Sequence, residues 1–143
     1  MNKNARKWVA ALKSGEYKQV KHVLCELDDE HNLVGHCCLG VACELYQEEV
    51  GGLDIKIDKE MIDGRFVTFA DFNPGEFTQG VTVLPECVGE WLGLNDISGG
   101  FRDEHKASHS LASLNDNGKS FDQIADAIES EPNGLFVSTI EGD

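Results

Sequence analysis

The chain has 143 residues, of which 41% are hydrophobic and 27% are charged, and its formal net charge is −14 at pH 7. This length and composition are typical of one soluble globular domain, which can bury a core without disulfides. No apolar run approaches the ~20 residues that span a bilayer, so the sequence excludes a transmembrane protein, and we expect no membrane partner.

The charge is distributed unevenly along the chain. Residues 1–21 carry six bases and one acid, whereas residues 22–143 carry six bases and 25 acids. Such an acidic body repels nucleic-acid phosphates, so we expect no direct nucleic-acid binding. The negative charge suits a basic partner, or it simply maintains solubility.

The basic N-terminal segment, residues 1–21, predicts a helix over residues 4–14 and then the start of a strand. Four apolar residues follow the i, i+3, i+4, i+7 spacing of one buried helix face. They are Ala5, Trp8, Val9 and Leu12. The segment lacks the long apolar stretch and the small-residue cleavage site of a secretory leader, so we expect neither a signal peptide nor an anchor.

Two short apolar runs, residues 17–27 and 32–38, flank the polar sequence DDEHN and predict a β-hairpin with a long loop. At its start, Tyr17, Lys18 and Gln19 offer an aromatic face, a cation and an amide. Together these groups suit a nucleotide or another anion, which makes the three residues candidate ligand-binding residues. The alternative is an ordinary strand start with solvated ends.

A second helix is predicted over residues 38–49, because apolar residues cover most of its sides, as in a helix at the centre of a core. Gly40 costs about 1 kcal/mol relative to alanine in a helix interior. Close approach of a neighbouring backbone would explain its presence. Leu39 and Val41 are accordingly expected among the most buried side chains.

Cys37 and Cys38 open this helix, where the helix dipole favours a thiolate. One hypothesis is therefore a thiol-dependent enzyme centred on them, with a downstream histidine such as His105 or His109. The alternative is that the thiols are small core residues, since free cysteine is among the most buried residue types. The total of five cysteines is odd and two are adjacent, which favours reduced thiols in a cytoplasm over a secreted disulfide framework.

The remaining chain contains further short elements. Strands are predicted over residues 53–58 and 64–72, and a loop over 73–80. A short helix over 84–94 and a glycine-rich loop over 95–104 follow. Two helices, over 105–115 and 121–130, and a tail or edge strand over 131–143 complete the prediction. Helices and hairpins are segregated rather than alternating as βαβ units. The predicted fold class is therefore α+β, a single domain over residues 1–143 in which short antiparallel hairpins pack with about five helices.

His105 and His109 lie four residues apart in a predicted helix, a spacing that places two imidazoles on one face and makes them candidate metal ligands. The ligand set is incomplete, because the chain has no CxxC pair and adjacent cysteines seldom bind one ion. We therefore expect both histidines to be solvated, and we expect no structural zinc and no cofactor.

The segment LASLNDNGKSFDQIADAIE, residues 111–129, resembles the opening two helices of a DNA-binding helix-turn-helix. No basic recognition helix follows it, and Lys119 is the only base after Lys106, so a phosphate-contacting surface is lacking. Asn115 and Asp116, at the end of the first of these helices, are candidate ligand-binding residues or, alternatively, turn residues.

Four segments of the chain occur in the same order in a family of small proteins encoded by tailed bacteriophages and prophages: KWVAALKSGEYKQ, CCLGVACELY, LPECVGEWLGL and LASLNDNGKSFDQIADAIE. The chain resembles this family from about residue 7 to residue 130, and it departs from the family pattern in the acidic hairpin CELDDEHNLVG. No enzymatic residues are assigned in the family. The resemblance implies a phage accessory protein in the bacterial host cytoplasm, where such proteins often act on host factors, including defence systems.

These observations lead to one preferred function and two alternatives. We expect a non-enzymatic binding module that acts on a host protein or a small ligand, with anti-defence activity as one form of that function. The alternatives are a thiol-dependent enzyme centred on Cys37 or Cys38, and a structural or assembly factor.

Overall fold

The computed structural model describes residues 1–73 and 80–137, and within these ranges the chain forms five helices and six strands. The helices are α1 (Lys3–Lys13), α2 (Cys38–Glu49), α3 (Glu86–Leu92), α4 (Leu111–Asp116) and α5 (Phe121–Glu129). The strands are β1 (Cys25–Leu27), β2 (Leu33–His36), β3 (Lys56–Ile62), β4 (Arg65–Asp71), β5 (Gly100–Arg102) and β6 (Ser108–Ser110). In the described ranges, every helix is too short or too polar to cross a membrane. Helices packed with antiparallel hairpins confirm the predicted α+β class.

The first four strands form an antiparallel sheet in the order β2-β1-β4-β3, and β5 pairs with β6 in a separate hairpin. The two hairpins of the large sheet join at their inner strands, where Glu26 pairs with Phe69 and Leu27 pairs with Thr68. β3 lies at the edge of the sheet and is exposed along nearly its whole length. One edge of the sheet therefore faces solvent.

α1 packs against α2, α3 and α5 through the apolar face that its sequence predicts. All four predicted residues of that face are buried, and Trp8 is fully buried. The Trp8 indole Nε1 donates a hydrogen bond to the Cys38 carbonyl oxygen at 2.8 Å. At the rim, basic residues of α1 form ion pairs, Lys7 with Glu49 and Lys13 with Asp126 and Glu129. The N-terminal helix is thus part of the protein's own core.

α2 runs through the centre of the core, as its apolar surface predicts. Its first six residues are buried, and Leu39 and Val41 are fully buried. A Cβ atom added at Gly40 would lie 1.7 Å from the carbonyl oxygen of Leu24. The glycine therefore allows the chain that enters β1 to lie directly against the helix, and the predicted close approach of a neighbouring backbone is confirmed.

The first predicted hairpin forms with shorter strands than expected. β1 and β2 pair in a register that places Cys25 opposite His36. Residues 18–20 lie along the other side of β2, where the His36 N–H donates to the Lys18 carbonyl oxygen (2.8 Å) and the Val20 N–H donates to the His36 carbonyl oxygen (2.9 Å). His36 is consequently enclosed by backbone on both sides.

The helix predicted over residues 105–115 is wrong in its first half, because β6 occupies that part of the chain and α4 begins only at Leu111. The loop predicted before it contains β5. The Asp103 carboxylate accepts hydrogen bonds from the N–H groups of His105 (2.8 Å) and Ala107 (3.0 Å), which fixes the turn between β5 and β6. Short polar side chains that bond to nearby backbone in this way favour turns over helix interiors.

Two further predictions fall partly outside the described residues. Residues 74–79, within the predicted loop over 73–80, and residues 138–143, within the predicted tail, are not described. The described part of the tail makes isolated β-bridges to β5 and to the segment that follows α3.

Candidate functional site

Cys37 and Cys38 lie at the N-terminus of α2, and both are buried. Burial raises the pKa of the Cys37 thiol to about 12, against a smaller lowering by the backbone N–H groups of Gly40 and Leu39. Burial also raises the pKa of Cys38 well above its ordinary value, and its Sγ atom donates to the Leu111 carbonyl oxygen at 3.6 Å. At this helix start, desolvation therefore outweighs the helix dipole, and both thiols are protonated and shielded from solvent.

Gln19 and Asn115, two of the candidate ligand-binding residues, meet inside the protein. The Asn115 side-chain oxygen accepts hydrogen bonds from Gln19 Nε2 (2.8 Å) and from the Cys38 N–H (3.1 Å), and its Nδ2 donates to the Val20 carbonyl oxygen (2.8 Å). Asn115 is fully buried. Its amide thus satisfies the first turn of α2 and holds it to the chain before β1, which is a role in the fold rather than in binding a ligand.

Asp116 contacts His22, which precedes β1. The Asp116 carboxylate accepts a hydrogen bond from the His22 N–H at 2.8 Å, and the His22 ring lies between the carboxylates of Asp116 (3.6 Å) and Asp63 (3.5 Å). His22 adopts a left-handed backbone conformation, with φ of +74°. It lines an open cavity of about 350 Å³ beside the Glu26–Arg65 ion pair.

Tyr17, Lys18 and Gln19 do not converge on one anion site. The Tyr17 ring makes an edge-on contact with the His36 imidazole, with ring centroids 5.6 Å apart. Gln19 bonds to Asn115, and Lys18 is exposed. The three side chains therefore lie in three different environments.

His105 and His109 do not share a helix face, because they lie in the β5–β6 turn and in β6. His109 stacks on Phe101 with ring centroids 5.4 Å apart, and its Nε2 atom lies 2.8 Å from the Asp103 carboxylate. That hydrogen bond is the main cause that lowers the pKa of Asp103. His105 is exposed beside Glu104. The geometry that made the two histidines candidate metal ligands is therefore absent.

Cys25, His36 and Glu44 come together from β1, β2 and α2, and one potential ligand atom from each lies within 4.8 Å of the other two. Cys25 and His36 face the same side of the sheet because they are opposite each other in the β1–β2 pair. Both are buried, whereas the Glu44 side chain is partly exposed. Spacing analysis missed this cluster because its members belong to three different elements.

The electrostatics of this cluster are unbalanced. Burial is the main cause that raises the pKa of Cys25 to about 12, and the nearby Glu44 carboxylate and the Cys37 thiol contribute. The His36 side chain is 3% exposed, and its Nε2 atom has no hydrogen-bond partner among the described residues. The Glu44 Oε1 atom lies 3.4 Å from it. The cluster therefore combines a protonated thiol, an unsatisfied imidazole nitrogen and a carboxylate.

The four-stranded sheet also carries exposed large apolar side chains. Pairing places Leu33, Leu27, Thr68 and Lys59 in one row across all four strands, so the side chains of this row share one face. In β3 and β4 the same face carries Ile57, Met61 and Phe66, in alternation with residues of the opposite face. We call this surface the exposed sheet face and define it by its large apolar members, with their exposed fractions: Leu33 (62%), Ile57 (48%), Met61 (58%) and Phe66 (65%).

The rim of the exposed sheet face is charged. A cavity of about 420 Å³ lies on this face, with Thr68 among its lining residues and Asp29, Ile57 and Asp58 around it. The Lys59 ammonium group lies 3.5 Å from the Asp29 carboxylate and 5.9 Å from the centre of the Phe66 ring. Apolar side chains are thus bordered by mixed, mainly acidic groups.

Comparison with known proteins places the chain in a family without assigning it a function. No curated protein and no solved structure matches the chain. A family model described as a domain of unknown function, DUF8296, matches residues 1–132. Because this match covers most of the chain, the protein belongs to the DUF8296 family.

Proposed function

We propose that this protein is a non-enzymatic binding module that engages a host protein through the exposed sheet face. The observation that carries the proposal is the exposure of four large apolar side chains on one face of the sheet. Single exposed apolar residues are common on soluble proteins, but four large ones on one sheet face, with Met61 and Phe66 paired directly, are typical of an interaction surface. Together with the family resemblance, this supports a phage accessory protein that acts in the host cytoplasm.

Covering the exposed sheet face with a partner is favourable, because it removes apolar side chains from water. Full burial of a large apolar side chain contributes about 1.5–3 kcal/mol. Each member of the exposed sheet face retains roughly half or more of its exposure, so a partner gains part of that amount at each position. Phe66 and Met61 pair directly across β3 and β4, so a partner can cover both side chains at once.

Charge indicates the chemistry of the partner. The protein carries a net charge of −14, and Asp29 lies at the rim of the exposed sheet face beside Lys59. An acidic body accelerates association with a basic surface and suppresses association with other acidic ones. The proposed partner is therefore a host protein with an apolar patch surrounded by lysine and arginine residues. Interference with a defence protein of that kind is the form of this function that we favour.

The thiol chemistry of α2 argues for binding rather than catalysis. A thiol nucleophile must be ionised and reachable, and Cys37 and Cys38 are buried with raised pKa values. The exposed sheet face, in contrast, is open and shallow, as a docking surface for a macromolecule is.

A capture experiment with matched variants tests the proposal. Wild-type protein, a Met61→Asp/Phe66→Asp double variant and a Val50→Asp control are immobilised and exposed to bacterial lysate. Val50 is also an exposed apolar residue, but it lies at the C-terminus of α2, outside the exposed sheet face. Each captured protein is identified, purified and titrated against the three proteins at two salt concentrations.

We expect the double variant to bind the partner at least about tenfold more weakly than wild type, and the control to bind normally, with affinity falling as salt rises. Equal binding by wild type and the double variant would overturn the proposal. Light scattering gives a second test, because a wild-type dimer that the double variant abolishes would show that a second copy, rather than a host protein, covers this face.

A further inference from the structure

We infer that Cys25, His36 and Glu44 form a binding site for one divalent transition-metal ion, with Zn²⁺ as the preferred occupant. The inference is independent of the proposed function, since this cluster and the exposed sheet face share no residue. It rests on the convergence of three ligand types, on an unsatisfied buried nitrogen and on the charge of the cluster.

The unsatisfied His36 nitrogen is the first argument. Buried polar side-chain atoms are nearly always hydrogen-bonded, so an exception needs a physical reason. His36 Nε2 faces Glu44 at 3.4 Å without forming a hydrogen bond to it, and no other described residue supplies a partner. A metal ion bonded to Nε2 satisfies this nitrogen, because it uses the lone pair of the neutral ring.

The donor set is the second argument. A thiolate, an imidazole and a carboxylate are the three ligand types that zinc takes in proteins, whereas magnesium and calcium prefer oxygen atoms alone. Ligand atoms around a tetrahedral zinc ion lie about 3–4 Å apart, given bonds of about 2.0–2.3 Å. The potential ligand atoms of Cys25, His36 and Glu44 lie within 4.8 Å of one another, so the three side chains would draw closer together around a bound ion.

Charge balance is the third argument. A thiolate and a carboxylate this close together repel each other, and a divalent cation bound between them attracts both groups at once. On binding, the sulfur–hydrogen bond of Cys25 breaks, a sulfur–zinc bond forms, and the proton passes to solvent.

Three protein ligands leave one position of a tetrahedral ion for another group. Glu44 is the member of the cluster that reaches solvent, so water enters from its side. The ion would link the β1–β2 hairpin to the second turn of α2, and the Tyr17 ring would cover the imidazole edge. The sequence-based expectation of no zinc relied on spacing, which says nothing about ligands from three separate elements.

The test uses the full chain without a histidine tag, stripped of metal by a chelator under reducing conditions. Zn²⁺ is added, excess ion is removed by gel filtration, and bound metal is measured by mass spectrometry. Co²⁺ is then used as a spectroscopic probe, because a tetrahedral Co²⁺ ion with a thiolate ligand shows visible bands and a sulfur charge-transfer band. The variants are Glu44→Gln and Cys25→Ser, and the controls are Cys87→Ser and His105→Ala, since both of these residues are exposed and lie outside the cluster.

We expect wild type and both controls to retain about one zinc ion per chain and to show the Co²⁺ bands. Cys25→Ser should lose the sulfur band, and Glu44→Gln should bind at least about tenfold more weakly. Glu44 is partly exposed, so that variant should keep the fold even if Cys25→Ser does not. A zinc-dependent rise in melting temperature should appear in wild type and shrink in Glu44→Gln. Absence of retained zinc in wild type, or loss of the sulfur band in Cys87→Ser but not in Cys25→Ser, would overturn the inference.

Discussion

The two halves of the four-stranded sheet differ in what covers them. In the half formed by β1 and β2, Cys25 and His36 are buried beside α2. In the half formed by β3 and β4, Met61 and Phe66 remain exposed. We call the buried part of the first half, together with α1 and α2, the covered end, whereas Leu33 at the start of β2 belongs to the exposed sheet face. Among the described residues, its buried side-chain nitrogen and oxygen atoms find partners, apart from His36 Nε2, while the exposed sheet face offers apolar area that a partner can cover.

This difference separates residues that stabilise the fold from residues that are free to bind. Substitutions at the covered end should lower the free energy of unfolding, because they remove packing or leave buried polar groups unsatisfied. Substitutions on the exposed sheet face should change stability little and affinity strongly.

The largest effect is expected for Trp8→Ala at the covered end. The variant removes a fully buried ring and its hydrogen bond to the Cys38 carbonyl oxygen. The free energy of unfolding should therefore fall by about 3–5 kcal/mol. A urea melt followed by circular dichroism measures this change. The matched control replaces Lys3, Lys7 and Lys13 with Gln. Exposed ion pairs contribute only about 0–1 kcal/mol each, so the free energy of unfolding should fall much less in this control.

The claim that α1 stabilises the fold by packing on the core is contradicted if the triple Gln variant unfolds at a lower urea concentration than Trp8→Ala. It also fails if deletion of residues 1–14 leaves the urea midpoint unchanged. In either case α1 would be a detachable basic arm, and the covered end would not depend on it.

The next largest effect is expected for Asn115→Ala. This variant leaves the Cys38 N–H and the Val20 carbonyl oxygen without their buried partner, at a cost of about 1–3 kcal/mol. Asn117→Ala is the control, because Asn117 is an exposed residue at the end of α4. Equal melting temperatures for the two variants would show that the amide network does not hold α2 to the chain before β1.

A small effect is expected on the exposed sheet face. Met61→Ser and Phe66→Ser should each change the free energy of unfolding by about 0.5 kcal/mol or less, since both side chains are mostly exposed. Urea melts of the two variants check this directly. A fall in unfolding free energy as large as that of Asn115→Ala would mean that the exposed sheet face is packed against other groups in solution. The face would then not be available for binding.

The smallest effect on stability is expected for Asp103→Asn in the β5–β6 hairpin. This variant tests whether a carboxylate at the protein surface stabilises the fold. The hydrogen bond from His109 lowers the pKa of Asp103 in the folded protein, so the ionised carboxylate stabilises the fold above the unfolded pKa of about 3.9. That contribution is lost as the pH falls through the folded pKa. In melts across pH, wild type and Asp103→Asn should differ near neutrality and converge under acid conditions. A difference that persists at the lowest pH would show that the carboxylate does not act through its charge.

The sequence predicted those features that depend on local patterns. The face of α1 follows from 3.6-residue periodicity, and Gly40 indicated a close backbone contact because glycine is unfavourable inside a helix. The start of α4 was missed because Ser110 caps the helix and Asp103 fixes the preceding turn, and such side-chain bonds compete with helix propensity.

The candidate sites were harder to predict because they depend on contacts between distant segments. Asn115 reaches Gln19 across most of the chain, so its role in the fold could not be distinguished from ligand binding by sequence alone. The metal-binding proposal combines Cys25, His36 and Glu44, which no known spacing links. For Cys37 and Cys38, the helix dipole was visible in the sequence, but the burial that outweighs it was not.

The outer edge of β3, which pairs with no other strand of the described residues, has a consequence for how the protein behaves at high concentration. A free edge strand next to apolar side chains is a template for the addition of further strands, and thus for fibril growth. Four of the seven β3 residues are charged, namely Lys56, Asp58, Lys59 and Glu60. These charges keep like copies from stacking while the apolar face next to them stays available. Replacement of all four with threonine should therefore make the protein aggregate at high concentration, without any loss of its core.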